Sequence, residues 1–184
     1  MPAPRVLVAG IGNIFLGDDA FGVEVAQRLL QQPWPAAVRV VDFGIRGFDL
    51  AYAILDGPEL SILVDATQRG ESPGTLYVIE PDLDGADVVG SSAMNAHGMD
   101  PVTVLRLVQT LGGRPKRLLV VGCEPATFGP EDEGMMGLSP VVTAAVEPAM
   151  RLVESLVAEA LGSQAEPVYA DTVPADTMGI RGGA

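Results

Sequence analysis

In "RVLVAGIGNIFLGDDAFGVEVAQRLLQQ", residues 5–32, an apolar run gives way to a glycine-rich turn and then to a helical repeat. Residues 5–10 are apolar after Arg5 and end in Gly10, the pattern of a buried strand. In 18–32, Phe21, Val25 and Leu29 recur every four residues with Ala26 and Leu30 beside them, which makes one apolar helix face. "PWP" at 33–35 stops that helix. A strand, a turn and a helix in this order open an α/β unit. The turn carries Gly10, Gly12 and Asn13 and then two adjacent acids, Asp18 and Asp19, which would repel a phosphate.

The pattern repeats outward. "VRVVDFG" (38–44) reads as a second strand, and "FDLAYAILDG" (48–57) as a short helix closed by Gly57. "LSILVDA" (60–66) is apolar until its end, as an interior strand should be. "GTLYVIEP" (74–81) alternates; the short link "TQRGESP" before it predicts a hairpin with the third strand and an antiparallel edge. Residues 82–100 have no clear period and form a long loop, a feature often tied to function. Asp100 and Pro101 supply a cap and first position for a helix over 100–113. "KRLLVVGCEP" (116–125) is the fifth strand. Ser139 and Pro140 repeat the cap signature for a last helix over 139–162, which Pro148 is expected to kink. The expected fold class is α/β: one domain over 1–162, with a twisted, mostly parallel five-stranded sheet and helices on both faces. A flexible tail, 163–184, follows.

Composition narrows the function. The 184 residues suit one domain, and 48% are apolar but only 5% aromatic, so Val, Leu, Ile, Ala and Met build the core. A net charge of −13 excludes nucleic acid and anionic membrane surfaces, and suits a cation. Cys123 is the one cysteine, so no internal disulfide forms, which fits a reducing cytoplasm. The apolar run at the start is too short for a signal peptide, and no stretch approaches the roughly 18 residues of a membrane span. A cytoplasmic monomer without membrane insertion is expected.

Ligands of open α/β sheets bind beyond the carboxyl ends of the strands. Strand one leads to Gly12, Asn13, Asp18 and Asp19, strand two ends at Asp42, strand three at Asp65, and strand five at Cys123 and Glu124. The only histidine, His97, lies in a glycine-flanked stretch of the long loop. Carboxylates and one imidazole at one rim describe a metal or acid–base site. Asp18 suits a cap of the first helix, which leaves Asp19 free. Asp42 bonds its own turn or acts in function. Asp65 ends an apolar strand, where a carboxylate must find a partner. Glu124 and Cys123 read as structural, and "EDEG" (131–134) as a solvated loop. Gly10 and Gly12 match the start of G-x-G-x-x-G, but Phe15 replaces the third glycine, so no dinucleotide or other organic cofactor is expected. No G-K-[ST] and no G-x-S-x-G occurs.

"GIGNIFLGDDAFGVEVAQRL", "VVDFGIRGFDL", "ILVDA", "HGMD" and "GLSPVVTAAVEPAM" resemble, in order, the [NiFe]-hydrogenase maturation endopeptidases over about residues 5–160. The resemblance implies a sheet sandwiched between helices. It also implies removal of a C-terminal extension from a hydrogenase large-subunit precursor once nickel is inserted. The family is grouped with aspartic peptidases, although its mechanism differs from the two-aspartate dyad. Its three metal-binding positions fall on Asp19, Asp65 and His97, with nickel supplied by the substrate. Its glycine-rich turn falls on "DFGIRG", with Asp42 at its head as a further catalytic candidate. Gly44, Arg46 and Gly47, with Gly12 and Asn13, are the candidate substrate-binding positions. Two departures stand out: Asp19 replaces a frequent Glu, one methylene longer, and Arg46 enters a turn that often reads D-G-G-T and can meet a substrate anion.

Two other readings use the same residues. A nickel-sensing docking protein would need the same three ligands without cutting its partner. Peptidyl-tRNA hydrolases share a similar turn, but need a basic surface and a histidine soon after it; this chain has neither.

Overall fold

The computed structural model describes residues 4–83, 100–130 and 133–162. The expected tail over 163–184, most of the long loop with His97, and the first half of "EDEG" lie outside the described residues. Five strands form one sheet: β1 (Val6–Ile11), β2 (Val38–Gly44), β3 (Leu60–Ala66), β4 (Leu76–Ile79) and β5 (Leu118–Cys123), in the order β2-β1-β3-β5-β4. β1, β2, β3 and β5 run parallel, and β4 pairs antiparallel at the edge.

β4 is antiparallel and marginal, as expected, but it pairs with β5, not with β3. The hairpin expectation fails because β5 inserts between the two, with Asp65 opposite Gly122 on one side and Tyr77 opposite Gly122 on the other. An apolar β3, buried along its length, needs a neighbour on both sides, and the fully buried β5 satisfies it better than the half-exposed β4 does.

Period-two alternation splits the strands between two cores. Val6, Val8, Ile62, Val64 and Val121 face α1 (Phe21–Leu29) and α4 (Pro140–Gly162), which contribute Phe21, Val25, Val146 and Val153. Leu7, Ala9, Ile11, Leu63 and Val120 face α2 (Gly47–Leu55) and α3 (Pro101–Thr110), which contribute Leu50, Ile54, Val104 and Val108. α4 runs through Pro148 as one continuous element. Among the described residues no helix is long and apolar enough to cross a membrane.

The first helix begins differently from its apolar repeat. Gly17–Ala20 wind as a 3-10 turn, and α-helix starts only at Phe21. α1 lies so close to the sheet that a Cβ at Gly22 would overlap the carbonyl oxygens of Val64 and Ile11. That approach sets the start of α1 against the carboxyl ends of β1 and β3. Gly22→Ala is therefore expected to destabilise the fold by about 1–3 kcal/mol in denaturant unfolding. Gly162→Ala, where an added Cβ meets only open space, should cost nothing.

Candidate active site

β1 leaves the sheet into a turn that glycine makes possible. Gly12 has φ 132°, and a Cβ there would overlap the carbonyl oxygen of Asp19. The Asn13 side-chain oxygen accepts from the Phe15 amide at 3.0 Å, and the Asn13 amide donates to Asp19 Oδ2 at 2.7 Å. The following 3-10 turn has about three residues per turn, so adjacent side chains project about 120° apart. Asp18 and Asp19 therefore face different surroundings.

Asp18 turns inward and is fully buried. Its Oδ2 accepts from the amides of Ala126 at 2.8 Å and Thr127 at 3.0 Å and from the Ser139 hydroxyl at 2.9 Å. Its Oδ1 accepts from the Ser139 amide at 2.6 Å. The expectation that Asp18 caps the first helix is thereby corrected: neither the 3-10 turn nor α1 has a side-chain cap. Distant amides use its lone pairs instead, and Ser139, at the head of α4, spends its hydroxyl on the same carboxylate.

Asp65 ends β3 at 4% exposure, and its Oδ1 has no hydrogen-bond partner among the described residues. Burial pushes its carboxyl well above the ordinary carboxylate range; Asp19 and Asp100 push it further, against one opposing bond from the Ala66 amide. Asp19 is raised too, by burial, with the Asn13 amide working against it. Acids from the ends of β1 and β3 thus share one electrostatic neighbourhood. Asp100 was legible only as the cap of α3, a role it fills by accepting from the Thr103 amide at 2.8 Å. Its charge at Asp65 had no sequence signal beyond its place three residues after His97.

The second turn abuts the first: the Gly12 amide donates to the Gly44 carbonyl at 3.1 Å, and Gly44 takes φ 54°. Asp42 Oδ2 accepts from Gln27 Nε2 at 3.0 Å. Arg46 braces its own turn, donating to the carbonyls of Asp42 and Phe43, stacking 5.8 Å from the Phe43 ring centre and lying 3.6 Å from Asp49. Gly47 is the buried first residue of α2.

Glu124 and Cys123 are structural, as expected. Glu124 accepts from the Arg69 and Gly70 amides at 2.8 and 3.1 Å and from the Tyr77 hydroxyl at 2.6 Å. The Cys123 thiol is buried, and burial, with Asp18 and Glu124 nearby, pushes it up to about 12. Neither this thiol nor the committed Ser139 hydroxyl offers a nucleophile. Among the described residues no group of three His, Cys, Asp or Glu side chains is arranged to hold a metal ion.

Fold and rim describe an α/β domain whose strand ends gather carboxylates and, among the described rim residues, no activated thiol or hydroxyl. The family model described as hydrogenase maturation protease matches residues 23–156. The chain is 34% identical over 158 residues to a hydrogenase expression/formation protein, HupD, of Rhizobium leguminosarum, covering 84% of this chain and 76% of that one. It is 30% identical over 164 residues to the hydrogenase 2 maturation protease of Escherichia coli, covering 89% and 96%. The solved structure of the maturating endopeptidase HybD from E. coli superposes with a TM-score of 0.68 at 29% identity, covering 84% of this chain and 93% of that one. The chain belongs to the hydrogenase maturation protease family, and it is a hydrolase, an endopeptidase.

Two predictions follow from the acids. Asp18→Ala strands buried amides and a hydroxyl, and is expected to cost about 3 kcal/mol in urea unfolding. A carboxyl raised in the folded state loses stability once pH climbs past its unfolded value near 4, until the folded group itself ionises. Asp65→Asn removes that penalty. Unfolding curves of wild type and variant should coincide below about pH 4 and separate above it, with the variant the more stable; coincidence at every pH would refute the strain assigned to Asp65.

Proposed function

We propose that this endopeptidase removes the C-terminal extension of a [NiFe]-hydrogenase large-subunit precursor after nickel insertion, and that it grips the nickel its substrate carries. One observation carries the reading: Asp65 Oδ1 is buried without a described partner while two further acids press on the same carboxyl. Such a group gains more from a divalent cation than from any neutral donor, because the cation reverses the sign of each repulsion. The names of the relatives, hydrogenase maturation proteases, supply the substrate class.

Asp19 and Asp65 offer two oxygens and His97 an imidazole, a set that suits Ni²⁺. His97 lies outside the described residues; in the sequence only Gly98 and Met99 separate it from Asp100. Three protein ligands leave positions open for groups of the precursor or water. The nickel then works as a checkpoint, since a precursor without it lacks the contact that registers the scissile segment at the rim. Asp42, steadied by Gln27, positions the peptide or accepts a proton from the attacking water. The turns around Gly12, Asn13, Gly44 and Gly47 form the edge along which an extended chain would lie, with Arg46 bracing the second turn. The enzyme acts in this reading as a cytoplasmic monomer with no organic cofactor.

Incubation with nickel-loaded and nickel-free precursor tests it. Mass spectrometry should show loss of the C-terminal extension only in the loaded form. His97→Ala should lower the rate by at least about 100-fold with its circular dichroism unchanged. Cleavage of nickel-free precursor at the normal rate, or normal processing by His97→Ala, overturns the proposal.

A further inference from the structure

We propose that the rim carries a docking surface for an apolar, cationic stretch of the precursor flanking its scissile bond, an inference that rests on the peptidase reading above. Turns favour Gly, Asn, Asp and Ser, yet these turns present large apolar side chains to solvent. Ile14 and Phe15 stand in the first turn, Ile45 in the second turn, Phe48 at the start of α2 with Tyr52 one turn further along it, and Met136 ahead of α4. Phe15, Ile45, Phe48 and Met136 are 57%, 61%, 63% and 72% exposed.

The segments are stitched together. The Met135 amide donates to the Phe15 carbonyl at 2.8 Å, and the Gly17 amide to the Met135 carbonyl at 2.7 Å. The Gly12–Gly44 bond joins the first turn to the second. Phe48 and Tyr52 are four residues apart on α2 and share one strip of it. The other exposed large apolar residues, such as Leu30, Val78 and Leu111, sit singly on separate elements. Phe15, Ile45, Phe48 and Met136 each keep more than half of their surface exposed, and an exposed apolar cluster marks a protein contact.

Its occupant follows from continuity and charge. Asp19 follows the first turn and Asp42 heads the second, so a polypeptide seated at these acids lies beside Phe15 and Ile45. The acids favour cationic flanks on that polypeptide. A second copy fits poorly, because a two-fold contact would set two acidic rims of chains at −13 face to face. The chain's own segment 163–184 carries Glu166, Asp171 and Asp176 against one Arg181, the same sign as the rim.

Phe15→Ser with Phe48→Ser tests the surface, and Leu111→Ser, remote from the rim, is the control. With nickel-loaded precursor the double variant should raise KM about 10- to 100-fold while kcat changes far less. The control should match wild type, and thermal unfolding of the double variant should remain that of a folded protein. Binding of the precursor to Asp19→Asn, read without cleavage, should weaken by a similar factor when the two serines are added. Unchanged KM and binding overturn the docking surface while leaving the peptidase reading intact. Failure of wild type to cleave, with binding still dependent on Phe15 and Phe48, strikes the peptidase reading alone. A wild-type dimer that Phe15→Ser dissociates assigns the face to a second copy and overturns the proposal.

Discussion

The rim depends on one buried carboxylate. Asp18 gathers three amides and a hydroxyl from segments 108 to 121 residues further along the chain, and so fastens the crossing after β5 and the head of α4 to the turn after β1. Four donors meet this carboxylate, three on Oδ2 and one on Oδ1. The buried charge is thus balanced by N–H and O–H dipoles instead of a cation. The three-fold winding of the turn fixes what is left for Asp19: its side chain projects in another direction, and among the described residues the Asn13 amide bonds to it. One acid ties the loops down so that its neighbour can stay available.

Three buried acids show how differently one residue class is used. Asp18 and Glu124 are saturated with donors, and removing either would undo a turn. Asp65 is equally buried, keeps one oxygen without a described partner, and feels two other acids. Arg46 at the second turn pairs with Asp49, and further cations pair near the surface, Arg5 with Glu59, Arg28 with Glu24 and Arg117 with Glu80, where such pairs contribute little to stability. Burial opposes the charge of both Asp19 and Asp65, and Asp65, with two acids beside it, is raised well above the ordinary range. Misfit of that kind concentrates at functional sites because a fold under selection for stability alone would remove it.

The strands and helices were legible because each buries a face with its own period. Phe21, Val25 and Leu29 gave α1, and the unbroken apolar run of β3 gave an interior strand. The end of β3 also exposed Asp65 as an acid in need of a partner. What was not legible depends on contacts between distant segments. The link before β4 has hairpin length, and only the competing burial of β5 sends β4 to the far edge. "DD" does not say which acid turns inward; that is set by Ala126, Thr127 and Ser139. Arg46 read as a substrate contact from its charge, while its donors go to carbonyls of its own turn. The apolar turn residues Phe15 and Phe48 carry no periodic signal, so their shared edge emerged only when the Gly12–Gly44 and Phe15–Met135 bonds joined their turns.

These features bear on why an ion should serve as a checkpoint. A ligand shifts an equilibrium only by its differential affinity for two states. Strong metal binding by the free enzyme would spend that difference before the precursor arrived, and loaded and empty precursors would then bind alike. In the proposed reading the ion arrives on the precursor, and burial together with Asp19 and Asp100 raises the Asp65 carboxyl that would meet it. If both proposals hold, an ion on the precursor would meet the acids together with the contact area of Phe15, Ile45, Phe48 and Met136, and two linked contacts would discriminate loaded from empty precursor more sharply than either alone.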